Sequence, residues 1–238
     1  MQDRNLGPSS DRRWAIYAAP ARGSALARWG AAWLGRDAET GAALPQPTLP
    51  GWPEEDIARV TEFPRRYGLH ATLKPPFRLA AGGTEAGLRE ALARFAEGRA
   101  PPPPTALRLA SLGGFLALVP EGEAAPSCRL ADECVKNFDR FRAPPSADEL
   151  ARRRQARLSP REEEHLELWG YPYVFDTFRL HVTLSGSLPA EERRRLAAAL
   201  APLLSPVLAE LFEIRDLALF VSGEDGLFRL ARRFPLSG

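Results

Sequence analysis

The chain reads as an α+β protein with a bilobal, duplicated fold: two antiparallel sheets, each backed by helices, around a central cleft. Three observations predict this. Two short runs, Leu69-His70-Ala71-Thr72-Leu73 and Leu180-His181-Val182-Thr183-Leu184, have the same form, with His and Thr alternating with apolar residues as in a half-buried strand. Each run opens the same series of strand, helix and two further strands joined by a glycine-bearing turn. The first series is His70, Thr84 to Glu97, Thr105 to Ser111 and Phe115 to Val119; the second is His181, Pro189 to Leu200, Leu211 to Val221 and Leu227 to Phe234. Finally, 238 residues, 45% of them apolar, suffice for one bilobal domain over residues 1–238 with a shared core.

The elements follow in order. Trp14 to Ala19 alternates as a first strand, and Pro20 ends it. Ser24 caps a helix running to about Leu34, with Gly35 at its end. Arg36 to Pro64 holds prolines at 45, 47, 50 and 53 and reads as a surface connection with a turn or two near Glu54 to Val60. The first His strand is halted by Pro75-Pro76. A helix from Thr84 closes at Gly98, and Pro101 to Pro104 form a stiff spacer. Gly113-Gly114 turns the next hairpin. Ser127 caps a helix carrying Leu130, Cys134, Phe138 and Phe141, an Arg-rich helix starts near Asp148, and Ser159-Pro160-Arg161-Glu162 has the form of a capping box for a third, ending at Gly170.

Composition limits the function. Lys plus Arg number 32 against 30 Asp plus Glu, so a formal charge of +2 gives no global attraction for nucleic acid or membranes, and any anion binding must be local. Met1 to Arg13 is polar without an apolar core behind it, and no run is long enough to span a membrane, so a cytoplasmic, soluble protein is expected. Cys128 and Cys134 are expected to be inert, and no zinc-type spacing of Cys and His occurs.

The candidate chemistry lies in the histidines. There are three, and two of them, His70 and His181, have Thr two positions on. A lone His in a strand is usually a satisfied structural residue; the pairing inside a duplicated architecture points to a divided site. Imidazole titrates near neutrality, so one copy can take a proton from water while the other gives one to a leaving oxygen. Thr72 and Thr183, on the same strand faces, can donate hydroxyl hydrogen bonds to phosphoryl oxygens. Strict alternation also brings Lys74 to the His70 face and Arg179 to the His181 face, and Tyr17 and Tyr173 are candidates for stacking on or bonding a sugar. His165, among glutamates, is expected in solvent, as are Arg152, Arg153, Arg154 and Arg157, unless these arginines form an electropositive rim.

Tyr67-Gly68-Leu69-His70-Ala71-Thr72-Leu73-Lys74-Pro75-Pro76-Phe77, together with Tyr173-Val174-Phe175-Asp176 ahead of Phe178-Arg179-Leu180-His181-Val182-Thr183-Leu184, resembles the two-histidine (2H) phosphoesterase superfamily. More narrowly it is similar to the branch associated with phosphonate-degradation operons, over Trp14 to Phe234. The resemblance implies a cleft between two lobes, catalytic His70 and His181, and hydrolysis of a small cyclic phosphate, a phosphorylated ribose cyclic phosphate formed during carbon–phosphorus bond breakdown. The absence of a spaced His/Asp cluster leads to the expectation of catalysis without metal or cofactor; a monomer acting on a small phosphorylated substrate is expected, with no membrane partner, and the near-neutral charge without aromatic-basic interleaving argues against long nucleic acid. Two alternatives stand beside it: an RNA-end 2',3'-cyclic phosphodiesterase or ligase, and a non-catalytic module that binds a phosphorylated metabolite.

Overall fold

Local signals set most element ends in the computed structural model, which describes residues 12–238; most of the polar opening stretch lies outside the described residues. The chain runs through β1 (Trp14–Ala18), α1 (Ala25–Trp33), α2 (Glu54–Arg65), β2 (Ala71–Phe77), α3 (Glu85–Glu97), the hairpin β3 (Leu107–Leu112) and β4 (Phe115–Pro120), α4 (Ala125–Phe138), α5 (Ala147–Arg154), α6 (Pro160–Trp169), β5 (Val182–Thr183), α7 (Ala190–Leu204) and the hairpin β6 (Asp216–Ser222) and β7 (Phe228–Pro235). Ser24 and Thr84 accept N-terminal amide hydrogens of α1 and α3. Ser146 with Glu149 and Ser159 with Glu162 close capping boxes at α5 and α6, and Gly170 ends α6 in the left-handed conformation that glycine adopts without strain.

The fold is α+β, but its strands form one seven-stranded antiparallel sheet in the order β3-β4-β5-β2-β1-β6-β7 rather than the two sheets expected. The reason is a single pairing. Ala71 of β2 lies opposite Val182 of β5, while β5 also pairs with β4, so the two His strands join edge to edge and no gap divides the halves. An unpaired strand edge would leave amide and carbonyl groups open; joining the halves satisfies them. The duplicated order of elements persists in exchanged form. α3, which follows β2, packs on β6 and β7, whereas α7, which follows β5, packs on β3 and β4.

One face of the sheet carries the main core. Ile16, Leu73, Leu118, Val182 and Leu219 meet Trp33, Ile57, Leu92, Phe138 and Leu200 from the helices. The other face carries a small cluster, Ala15, Tyr17, Ala19, Ala218, Phe220 and Phe228, and is otherwise open. That open face is where His70 and Thr72 project.

Several expected boundaries move. The proline-rich connection contains a full helix, α2: its prolines end at the N-cap, three acidic residues occupy its first turn, and Ile57, Val60, Thr61 and Pro64 make a buried stripe. β2 continues through Pro75-Pro76 because the register against β1 slips twice across this stretch, and a proline's missing N–H is tolerated at a bulge. α4 starts ahead of Ser127, which is buried within it, because Pro126 takes the first turn. α7 runs through Pro202 to Leu204, held by the buried stripe Leu196, Leu200 and Leu204. β5 is only two residues long. His165 is buried rather than solvated: its two ring nitrogens lie 3.2 Å from Thr177 Oγ1 and 3.2 Å from Asp176 Oδ1, pinning α6 to the turn ahead of β5. Cys134 is buried and Cys128 half-buried, and both thiols are free, with burial raising their pKa values.

Gly30 couples the core to the first His strand. A Cβ there would stand 2.2 Å from Leu69 Cδ2 and 3.0 Å from Leu69 Cβ, so α1 lies against the residue next to His70 only because position 30 has no side chain. In an unconstrained helix, Gly→Ala stabilises by about 1 kcal/mol. Here Gly30→Ala is expected to destabilise by about 1–3 kcal/mol in urea unfolding. A stabilised variant would show that this close approach is absent.

Candidate active site

The register of β2 against β5 arranges four side chains. With Ala71 opposite Val182 in an antiparallel pair, His70 falls opposite Thr183 and Thr72 opposite His181, all on the open face. Directly opposed residues have Cβ atoms roughly 4.5–5.5 Å apart and diagonal ones roughly 7–8 Å, so the two imidazoles are diagonal neighbours and each stands beside the other motif's hydroxyl. All four residues are half-buried at the surface.

Each imidazole is held in the same way. His70 Nδ1 lies 2.8 Å from the Gly68 carbonyl oxygen, and His181 Nδ1 lies 2.7 Å from that of Arg179. A carbonyl oxygen can only accept, so each Nδ1 carries the hydrogen and donates it, leaving each Nε2 lone pair free for a proton or a ligand. Burial pushes His70 down to about 4, with a further small lowering by His181 against the stabilising Gly68 carbonyl; burial lowers His181 as well. Both rings are therefore neutral at pH 7 with no anion bound.

The surroundings correct two expectations. Tyr17 is buried, and its ring stacks on His70 at 3.7 Å between centroids and 24° between planes, so it backs the imidazole instead of facing a sugar. Burial, with the nearby phenols of Tyr67 and Tyr171, raises its pKa well above the usual tyrosine value. Lys74 is absent from this face. The slip in register places Tyr17 opposite Thr72 but Ile16 opposite Lys74, so Leu73 and Lys74 both turn toward the main core. There the ammonium donates to Asp139 Oδ1 and the Val135 carbonyl, each at 3.2 Å, and burial lowers its pKa to about 8 against the opposing effect of Asp139. Arg179 contributes its carbonyl to His181; its guanidinium is exposed and takes part in no ion pair among the described residues. Tyr173, 37% exposed, borders a small depression with Thr72.

Other residues at the site carry no motif of their own. Tyr67 lies 6.0 Å from His70 ring to ring, and Phe115 lies 5.7 Å from His181. Gly68, at φ 77°, presents the carbonyl that His70 uses, and a Cβ there would meet the Ala38 methyl at 2.5 Å. Arg36 is 4% exposed and forms no ion pair among the described residues; its guanidinium donates to the carbonyls of Arg65, Arg66 and Phe228, clamping the end of α2 just before Gly68. Only Gly68, two residues before His70, could have been flagged from its neighbours; Arg36 is distant in sequence. No group of three or more His, Cys, Asp or Glu side chains among the described residues is arranged to hold a metal ion.

The depressed pKa of His70 has a stability consequence. Between about pH 6.5 and 4 the unfolded chain binds a proton at this position and the folded chain does not, so stability falls as pH drops through that window. Lowering the pH from 7 to 5 is expected to remove about 2 kcal/mol through His70. His70→Gln should flatten that part of the urea-midpoint profile; an unchanged profile would show that His70 titrates normally.

Residues 72–229 match a family model described as a protein of unknown function, DUF1045. Two curated relatives carry the name ribose 1,5-bisphosphate phosphokinase PhnN. The one from Janthinobacterium sp. (strain Marseille) is 38% identical over 77% of this chain and 40% of its own length. That from Laribacter hongkongensis (strain HLHK9) is 37% identical over 92% of this chain and 51% of its own length. The chain thus spans about half, or less, of these relatives. A crystal structure of ATU0111, a conserved protein of unknown function from Agrobacterium tumefaciens str. C58, is similar at a TM-score of 0.45 and 15% identity, covering 94% of this chain and 86% of that one. No helix among the described residues is long and apolar enough to cross a membrane. With the family model matched over residues 72–229, more than half of the chain, the protein is a member of the DUF1045 family.

Proposed function

We propose that this protein hydrolyses a small cyclic phosphodiester of phosphorylated ribose, using His70 and His181 as paired proton-transfer groups. The observation that carries the reading is the four-residue arrangement on one sheet face: two imidazoles with Nδ1 committed to backbone carbonyls, each beside the other strand's threonine. In-line displacement at phosphorus needs a base for the attacking water and an acid for the leaving oxygen on the opposite side. Diagonal imidazoles, with Cβ atoms roughly 7–8 Å apart, would hold one phosphorus centre between them. Thr72 and Thr183 hydroxyls donate to the non-bridging oxygens, where charge gathers in the transition state.

The depressed pKa values fit such a pair. Two protonated imidazoles would repel, and two neutral ones lack the acid. An anionic phosphate seated between them raises both, and one proton is then taken up with the substrate. His70, stacked on Tyr17 and held down to about 4, is suited to stay neutral and act as base; His181 is then the acid. Both proton transfers are supplied without a metal.

The resemblance of the two motifs to 2H phosphoesterases supports the same chemistry, as does its phosphonate branch. The relatives' printed name supports a ribose phosphate as the substrate class. That name describes whole proteins of which this chain spans about half, and the two lysines here, Lys74 and Lys136, stand in no Gly-x-x-x-x-Gly-Lys phosphate loop. A phosphokinase role thus finds no support in this chain's own residues.

The test is a hydrolysis assay with chelator present on ribose 1,2-cyclic phosphates and 2',3'-cyclic nucleotides, followed by phosphorus NMR. Wild type is expected to turn over a ribose cyclic phosphate, and His70→Ala and His181→Ala to lose about 10²- to 10⁴-fold in kcat with folding intact. Failure of wild type on the whole panel would overturn the hydrolase reading, and a rate abolished by chelator would overturn the metal-free mechanism.

A further inference from the structure

We infer that Arg153 forms a second anion subsite beside the histidine pair, so that the preferred ligand carries two phosphate groups. The inference rests on the reading above and names the part of the substrate that Arg153 would hold.

α5 is an exposed, arginine-rich helix with both ends tied by ion pairs. Glu149 in its first turn pairs with Arg13 and Arg78 from the body, and Arg154 at its end pairs with Glu163 and Glu167 of α6. Arg152 donates to the Asp148 carbonyl of its own helix. Arg153 alone of these three arginines lies over an aromatic ring: its guanidinium is 4.6 Å from the centroid of the Tyr171 ring and pairs with no carboxylate among the described residues.

The rings connect it to the catalytic face. Tyr171 meets Tyr173 edge to face at 5.6 Å, and Tyr173 shares its depression with Thr72. Tyr171 is also among the groups that raise the pKa of Tyr17, the ring behind His70. The guanidinium lies over the Tyr171 ring and hydrogen-bonds its phenol, and the remaining N–H donors of its planar fork are of the kind that engages a phosphate oxygen. An arginine so placed supplies an electrostatic reason for a second phosphate at this rim and none for a neutral group.

The test uses two probes that contain no phosphodiester to hydrolyse, ribose 1,5-bisphosphate and ribose 5-phosphate, titrated calorimetrically into wild type, Arg153→Gln and Arg152→Gln at low salt. Wild type is expected to bind the bisphosphate at least about 10-fold more tightly than the monophosphate. Arg153→Gln should weaken the bisphosphate by about 10- to 100-fold and erase the difference, while Arg152→Gln leaves it intact. Equal binding of the two probes by wild type, no binding of either, or an equal loss in Arg152→Gln would overturn the inference. Because affinity is measured without turnover, a missing hydrolase activity would count against the catalytic reading and leave this result standing.

Discussion

The pairing of Ala71 with Val182 is the constraint on which the rest depends. It closes two half-sheets into one, and by antiparallel register it sets His70 against Thr183 and Thr72 against His181. A slip of one residue would send all four side chains into the main core, where nothing could satisfy them. The register is secured from the other face: Ala71, Leu73, Val182 and Leu184 are buried there, so moving either strand would expose apolar groups while burying imidazoles. The site is therefore maintained by the core beneath it more than by contacts among its own members.

The second layer of order is in the backbone around each imidazole. Both rings donate to the carbonyl two residues upstream, so one local geometry is used twice. On the first strand it is reinforced by Tyr17 behind the ring and by Arg36 on the end of α2; on the second it relies on the turn ahead of β5, which His165 ties to α6. This asymmetry gives near-identical motifs different surroundings, and hence a physical basis for different roles.

What could be read from the sequence was what local periodicity encodes. The strand faces of His70 and His181, the hairpin turns and the helices starting at Ser24, Thr84 and Ser159 follow from alternation, glycine and capping residues, and they stand where the pattern puts them. Pairing across the molecule is not encoded in that way, so one sheet was read as two. Lys74 illustrates the same limit: alternation assigns it to the histidine face, and a bulge, visible only in its register with β1, turns it into the core beside Asp139. α2 was masked by the prolines ahead of it. His165 has glutamates beside it in sequence, but its partners Thr177 and Asp176 reach it from the next segment, which spacing alone does not reveal. Arg36 comes to the end of α2 beside Gly68 through packing alone.

The claim most open to direct contradiction is that both site imidazoles carry hydrogen on Nδ1 and present Nε2 to the open face. Long-range proton–nitrogen correlation on protein labelled with ¹⁵N-histidine, at neutral pH and assigned with His→Gln variants, reads the tautomer of each ring. The structure predicts the Nδ1–H form for His70 and His181, with His70 staying neutral to well below pH 6. An Nε2–H tautomer at either residue, or a His70 that titrates near 6.5, would contradict the arrangement from which the proposed chemistry is derived.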